Sequence, residues 1–316
     1  MTLDEVKHTL AQPVGSVSGL SLSGCHAGSA DVVPLLLASG HLAHLTSLDL
    51  TATPVGGEAL VQLVNSADCA RLESLLLGGV EASSLNAPCS HGKKWAAMVT
   101  CDVDDEGLAA LLASPFLTKL RKLDLSYAVV KPQTWERFAS SNLVSGLTHF
   151  GAEMTSELSA GALQTILSRA TRLEGLGLCC AALGDAGVEA LINAPCQAVV
   201  RKLELALSKV TLAGARALLN APFPKLERVD LRGVSIDQAL LDALTTRSGT
   251  RALKTVVLSE KTSMPTGERD VWYDQGQVVG ESEGLFWLYQ LDQKPFREAG
   301  LTVTSDEARW PRGWLA

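Results

Sequence analysis

The spacing Leu-x-x-Leu-x-Leu recurs along the chain, at Leu45-Leu48-Leu50, Leu72-Leu75-Leu77, Leu120-Leu123-Leu125, Leu173-Leu176-Leu178 and, with one Val, Val200-Leu203-Leu205. Looser copies start at Val17, Leu147, Leu226 and Leu253, and successive starts fall 26 to 28 residues apart almost everywhere. Alternation of apolar and polar positions over so short a run predicts a strand with its leucines on one face. Five residues past the third apolar position comes another apolar residue (Val55, Val103, Val130, Leu183, Val210, Ile236). A small residue follows about four positions later (Gly107, Gly161, Gly187, Gly214) and opens a helical run. Breakers such as Asn65-Ser-Ala67, Ala113-Ser-Pro115, Asn193-Ala-Pro195 and Asn220-Ala-Pro222 end these runs, because Pro cannot continue a helix.

One strand and one helix cannot bury their apolar faces alone, so the units are expected to stack into a continuous core. One interval breaks the rule: Leu72 and Leu120 are 48 residues apart. Asn86-Ala-Pro88-Cys89 matches Asn193-Ala-Pro195-Cys196, and the same offset predicts a degenerate strand running from Lys93 through Ala96 to Met98. On that reading residues 72–92 form a shortened repeat and residues 93–119 a full one, about ten units in all between residues 17 and 260.

These repeats resemble the leucine-rich-repeat family over roughly three-quarters of the chain. The period of about 27 residues with a helix in each return is similar to the ribonuclease-inhibitor-like subtype. The resemblance implies an α/β solenoid, with a curved parallel sheet inside and helices outside. The family prefers Asn or Cys three residues past the third Leu. Cys25 and Cys101 fit that slot, but Thr53, Val80, Ala128, Ala181, Ser208 and Val234 occupy it elsewhere. Looser loops after the strands are therefore expected.

The ends differ from the array. Thr2-x-x-Glu5 reads as a capping box opening a helix before Pro13, which makes residues 1–16 an N-terminal cap. Residues 261–316 are aromatic-rich and lack the repeat; they hold four of the six Trp (Trp272, Trp287, Trp310, Trp314). Strand formers at 271–279 and 285–291 predict one or two hairpins. The segment reads either as a C-terminal cap over the last repeat or as a partner-binding module. Trp310 and Trp314 in the tail are its candidate recognition residues.

Composition narrows the function. Hydrophobic residues make up 47% and aromatics only 5%, so the core is expected to be aliphatic. A net charge of −7 with no basic stripe argues against nucleic acid or an anionic membrane as partner. No apolar run approaches the roughly 20 residues needed to span a bilayer, and the N-terminus has no secretion-signal pattern. Seven unpaired-looking Cys point to free, mostly buried thiols in a reducing, cytoplasmic setting. Richness in Ala, Gly and Leu with few Lys suggests a bacterial genome of high GC content.

No catalytic constellation emerges, and no cofactor or metal is expected. Phosphate-binding Gly loops are absent. Cys89, His91 and Cys101, followed by Asp102, Asp104 and Asp105, fit no common zinc spacing. Cys179 and Cys180 read as packing residues, and His41 with His44 as a solvated pair in a turn.

The residues between the leucines define the expected concave face. There the candidates are Asp49, Trp95, Lys122, Asp124, Lys202, Glu204, Arg228, Asp230 and Arg232. Three strands carry a base and an acid on the same face: Lys122/Asp124, Lys202/Glu204 and Arg228/Asp230. Gly175 and Gly177 leave a shallow trough between charged strands, and Trp95 projects nearby unless a register shift by one residue buries it. The leading reading is a non-enzymatic scaffold that binds a protein partner on this face, with Asp124, Glu204, Asp230 and Arg232 as principal contacts. The alternative comes from GTPase-activating members of the family. It uses an arginine on a strand-to-helix loop, a place that Arg232 occupies.

Overall fold

A computed structural model describes residues 1–15, 17–25, 29–79, 102–155, 157–246, 249–258 and 294–304. They form two compact units, one of described residues up to Ala170 and one from Thr171 onward.

The first unit runs α1 (Leu3–Leu10), β1 (Gly19–Ser21), α2 (Ser29–Ala38), β2 (Ser47–Asp49), α3 (Gly57–Val64), β3 (Ser74–Leu76), α4 (Asp105–Ala113), β4 (Lys122–Asp124), α5 (Pro132–Ser140), α6 (Asn142–Gly146), β5 (His149–Gly151) and α7 (Ala160–Arg169). The second runs β6 (Gly175–Gly177), α8 (Gly184–Ile192), β7 (Lys202–Glu204), α9 (Leu212–Asn220), β8 (Arg228–Asp230), α10 (Gln238–Thr246), β9 (Thr255–Val257), α11 (Lys294–Glu298) and β10 (Thr302–Thr304). Within each unit the strands are parallel and paired in chain order.

Register keeps the apolar positions level. Leu48 lies opposite Leu20 and Leu75, and Leu203 opposite Leu176 and Val229. Leu45, Leu48 and Leu50 are all fully buried, while Ser47 and Asp49 between them are half-buried on the other face. Return helices lay apolar stripes on this core: Leu60, Leu63 and Val64 from α3, and Ala162, Leu163, Ile166 and Leu167 from α7. The three- and four-residue spacing of these positions makes one helical face. Each unit thus has an α/β leucine-rich-repeat fold, in which strands alternate with return helices.

Polar side chains tie neighbouring repeats together. Ser159 Oγ accepts from the Ala162 N–H at 3.1 Å and Asp104 from the Gly107 N–H at 2.8 Å, satisfying first-turn donors of α7 and α4. Asp105 at the start of α4 accepts the Lys131 N–H at 3.0 Å, so it caps α5 one repeat on. Asp185 in the first turn of α8 does the same for Thr211 before α9, at 2.8 Å. The predicted capping box is present in α1, where the Thr2 N–H donates to Glu5 at 2.7 Å.

The strand exits are held by a device the sequence hides. Two residues past the third apolar position the backbone turns left-handed, at Gly24, Ala52, Tyr127, Met154, Cys180, Leu207 and Gly233. Glycine adopts this conformation readily; other residues do so at a cost. The N–H groups of Gly24, Ala52, Tyr127, Cys180 and Leu207 each donate to a carbonyl of the next repeat at 2.8–2.9 Å, extending the ladder beyond the strands. In the slot that usually holds Asn, hydroxyls stand in. Thr53 donates to the Leu22 carbonyl at 2.7 Å and accepts the Cys25 N–H, while Thr155 and Ser208 each close their own turn at 2.6 Å. The exits are thus held despite the missing Asn.

Several expectations are corrected. β3 pairs directly with β4, Leu75 opposite Leu123, so no strand lies between them. The degenerate strand expected at Lys93–Met98, Trp95 included, falls outside the described residues. Among the described residues nine strands lie between residues 17 and 260. The core of the first unit is not wholly aliphatic: Trp135, Phe138 and Phe150 are fully buried, with Phe138 stacked on Phe150 at 5.1 Å and edge-on to Trp135 at 5.8 Å. His41 is 4% exposed and its Nε2 lies 3.2 Å from the Leu10 carbonyl, so it joins α1 to the repeats rather than sitting in solvent. The expected hairpins at 271–279 and 285–291 lie outside the described residues, but 294–304 carries a further parallel strand. β10 pairs with β9 and buries Leu301 and Val303.

Candidate functional site

In the first unit the sheet face away from the helices carries two rows in register. One is Ser21, Asp49, Leu76, Asp124 and Gly151; the other is Gly19, Ser47, Ser74, Lys122 and His149. Asp49 accepts the Ser21 hydroxyl at 2.9 Å and the Thr51 N–H, also at 2.9 Å. Asp124 accepts both the N–H and the hydroxyl of Ser126, at 2.9 and 2.6 Å, and is only 4% exposed. A Cβ at Gly78 would run into the Asp124 carboxylate, so the neighbouring strand exit needs glycine there.

In the second unit the rows are Gly175, Lys202, Arg228 and Thr255, and Gly177, Glu204, Asp230 and Val257. Asp230 repeats the pattern of Asp49 and Asp124: its Oδ1 accepts the N–H two residues on, at Arg232, at 3.0 Å. A carboxylate closing the turn after its own strand is therefore a recurring structural element here. Its other oxygen receives the Arg232 guanidinium, with Nη2 to Oδ2 2.8 Å. Across the strands, Arg228 Nε approaches Glu204 Oε1 at 3.4 Å.

The acids lie deeper than a contact surface requires. Glu204 and Asp230 are each 1% exposed, whereas Lys122, Lys202, Arg228 and Arg232 are half-buried. Among the described residues Glu204 Oε2 has no hydrogen-bond partner. Burial above all, then the adjacent Asp230 charge, pushes the Glu204 carboxyl up to about 8, against the opposing pull of Arg228 and Arg232.

The sequence-predicted residues are thus partly brought together. Lys202, Glu204, Arg228, Asp230 and Arg232 form one patch in the second unit. Asp49, Lys122 and Asp124 share the face of the first. Trp95, Trp310 and Trp314 lie outside the described residues. The paired charges are also not the expected ones: Glu204 pairs with Arg228 of the next strand rather than with Lys202 of its own.

One feature was missed. Glu174, Arg201, Glu227 and Lys254 each stand at the entrance of a strand and alternate in sign across four neighbouring repeats. Arg201 bridges Glu174 at 3.5 Å and Glu227 at 2.7 Å, and Lys254 approaches Glu227 at 3.6 Å. Their spacing of 26 or 27 residues is the repeat period, which is the signal that reveals them.

Chemistry is sparse elsewhere. Among the described residues no group of three or more His, Cys, Asp or Glu could hold a metal, and no helix is long and apolar enough to cross a membrane. Cys89, His91 and Cys101 fall outside the described residues. Burial pushes the Cys69 and Cys196 thiols up to about 12 and about 11, so both are inert near neutrality. Cys180, expected to pack, is exposed. Two shallow recesses are found, of about 310 Å³ between α5 and α7 and about 320 Å³ beside β1. The first is lined by Glu136 and Ser159 among others, the second by Gln12 and His41 among others.

No protein-family model and no curated protein matches this chain. Solved structures similar to it include the internalin inlF of Listeria monocytogenes, at 15% identity and TM-score 0.44, over 82% of this chain and 62% of that one. The chain therefore spans less than two thirds of that internalin's length. A chain of the yeast Rad7 and Elc1 complex is similar at 17% identity and TM-score 0.43, over 85% of this chain and 77% of that one. The leucine-rich-repeat-containing protein LegL7 of Legionella pneumophila is similar at 15% identity and TM-score 0.42, over 83% of this chain and 90% of that one.

Proposed function

We propose that this protein is a non-enzymatic scaffold that docks a partner protein on the sheet face away from its helices. The observation that carries the reading is the fixed polar sheet face within each unit: side chains stand in register on parallel strands, and Asp49 and Asp124 in the first unit and Asp230 in the second each lock the turn that follows. A surface ordered before binding loses little entropy when a partner arrives. Asp49, Lys122, Lys202, Arg228 and Arg232 are its reachable polar groups, while Asp124, Glu204 and Asp230 support them from beneath. Trp310 and Trp314 are assigned to the same partner from the sequence alone. The repeat period and the helical returns support the ribonuclease-inhibitor-like subtype, and the inert thiols support a reducing, cytoplasmic setting.

The experiment is site-specific photo-crosslinking in the cells that make the protein. Crosslinkers at Ser47 and Lys202 on the sheet face are expected to capture one discrete partner, and one at the exposed Arg216 on α9 is not. Capture from Arg216 alone would move docking to the helical side.

The alternative, GTPase activation through Arg232, has the residue in a suitable loop. Against it stands Asp230, which already takes the guanidinium in a charge-assisted pair. Unchanged GTP hydrolysis by a co-purifying GTPase on Arg232→Ala would remove it.

A further inference from the structure

In the second unit the acids and bases of the sheet face are sorted by depth. Glu204 and Asp230 sit opposite one another in the ladder and are 1% exposed. Above them, the side chains of Arg228 and Arg232 keep 37% and 16% of their surface. Lys202, in register with Arg228, makes no ion pair with the described residues and is half-buried. The negative charge is therefore directed inward, against the two guanidiniums, and what the face presents outward is cationic.

The depth sorting changes the sign of the site. By residue type the patch is nearly balanced, three bases against two acids. Yet Glu204, sunk beside a second carboxylate with one oxygen unpartnered among the described residues, is an acid for which the neutral form is favoured. Two buried carboxylates, one of them inclined to hold its proton, cannot cancel three bases at the surface. This happens in a chain whose net charge is −7. A local cationic face on an acidic protein selects by charge: it attracts a short acidic stretch, while the rest of the molecule repels extended polyanions.

We infer that the sheet face around Lys202 and Arg228 receives an acidic segment of the partner protein, with carboxylates of that segment pairing to these two side chains. The inference rests on the docking reading above and adds the chemistry of the partner. Lys202 and Arg228 stand on adjacent strands, about 5 Å apart in the hydrogen-bonding direction. Two neighbouring carboxylates of an extended segment can reach both. Arg232, engaged by Asp230, borders the patch and orients rather than captures.

The test uses the full chain and a fluorescein-labelled hexaglutamate peptide, with hexaglutamine, hexalysine and a short oligothymidylate as comparison probes, read by fluorescence anisotropy at low salt. Hexaglutamate is expected to bind best. Its affinity should fall roughly tenfold in Lys202→Glu/Arg228→Gln and again when the salt is raised to physiological strength. Lys202→Arg/Arg228→Lys should retain binding, and Lys202→Glu alone should weaken it in case the double variant folds poorly. Equal binding of hexaglutamine, or no effect of Lys202→Glu, overturns the inference. Preference for hexalysine overturns it in favour of a basic partner, and preference for oligothymidylate in favour of nucleic acid. If the acidic probe fails while crosslinks from Lys202 still form, the partner chemistry is wrong and the docking face stands. If those crosslinks are absent, the docking reading itself has failed.

Discussion

Arg232 folds back on Asp230 two residues earlier, with Nε 3.1 Å from Oδ1 and Nη2 2.8 Å from Oδ2, while its own backbone N–H donates to Oδ1 at 3.0 Å. One carboxylate thus shapes the turn after β8 and holds the side chain that follows it. The two roles can be separated. Asp230→Asn keeps an acceptor for the N–H and loses the charge, whereas Asp230→Ala loses both. Asp230→Ala is expected to be less stable than Asp230→Asn by about 1–2 kcal/mol in urea denaturation. Equal midpoints would mean that the turn is held by something else.

Glu204 makes stability depend on pH in a defined direction. Its folded carboxyl sits at about 8 against an ordinary value of 4.5. The folded state therefore favours the proton. Its contribution is intact below pH 4.5, shrinks as pH rises, and is lost above about 8. The groups facing it are Asp230, Arg228 and Arg232, with Lys202 on its own strand. Glu204→Gln removes this titration, so the stability of the variant relative to the parent should climb between pH 5 and pH 8. A difference that stays flat across that window would place the ionised carboxylate in a well-solvated site.

The aromatic cluster of the first unit should be costly to open at one position and cheap to alter at another. Phe138 is fully buried between Trp135 and Phe150, so Phe138→Ala is expected to cost about 3–5 kcal/mol. Trp135 buries an indole N–H that has no acceptor among the described residues. Trp135→Phe sheds that unsatisfied donor and should cost clearly less. Chemical denaturation of both variants checks the order.

A double-mutant cycle tests the left-handed exits. Gly233 has φ +85°, and a Cβ there would lie 2.6 Å from Leu207 Cδ2. Gly233→Ala should therefore destabilise by about 1–2 kcal/mol. Leu207 itself has φ 54° and is 58% exposed, so Leu207→Gly relieves strain and should change stability by less than about 1 kcal/mol. Adding Leu207→Gly to Gly233→Ala removes the atom in the way and should recover part of the loss. Strict additivity would show that the clash is not what matters.

The strand phase was legible because it is local: Leu45, Leu48 and Leu50 state by their spacing which face is inside, and all three are buried. The helix openings at Gly107 and Gly187 were legible for the same reason. Pairing is not local. The likeness of Asn86-Ala-Pro88 to Asn193-Ala-Pro195 suggested another strand, yet only the sheet shows that β3 takes β4 as its neighbour. The strand at 302–304 was hidden because Leu301 and Val303 are too few to stand out far from the array. Depth was equally invisible. Glu204 and Asp230 are charged residues at outward-facing positions, and nothing in the alternation distinguishes a carboxylate at the surface from one beneath a guanidinium.

The β3–β4 pairing carries a broader consequence. Strands 48 residues apart sit as directly beside one another as those 26 or 27 apart, with Leu75 and Leu123 level. The ladder counts rungs and ignores the length of chain between them, in keeping with the slow growth of loop-closure cost. A gene encoding such a protein can take up new sequence at a strand exit and keep every downstream leucine in phase, so length variation among descendants should collect at those exits.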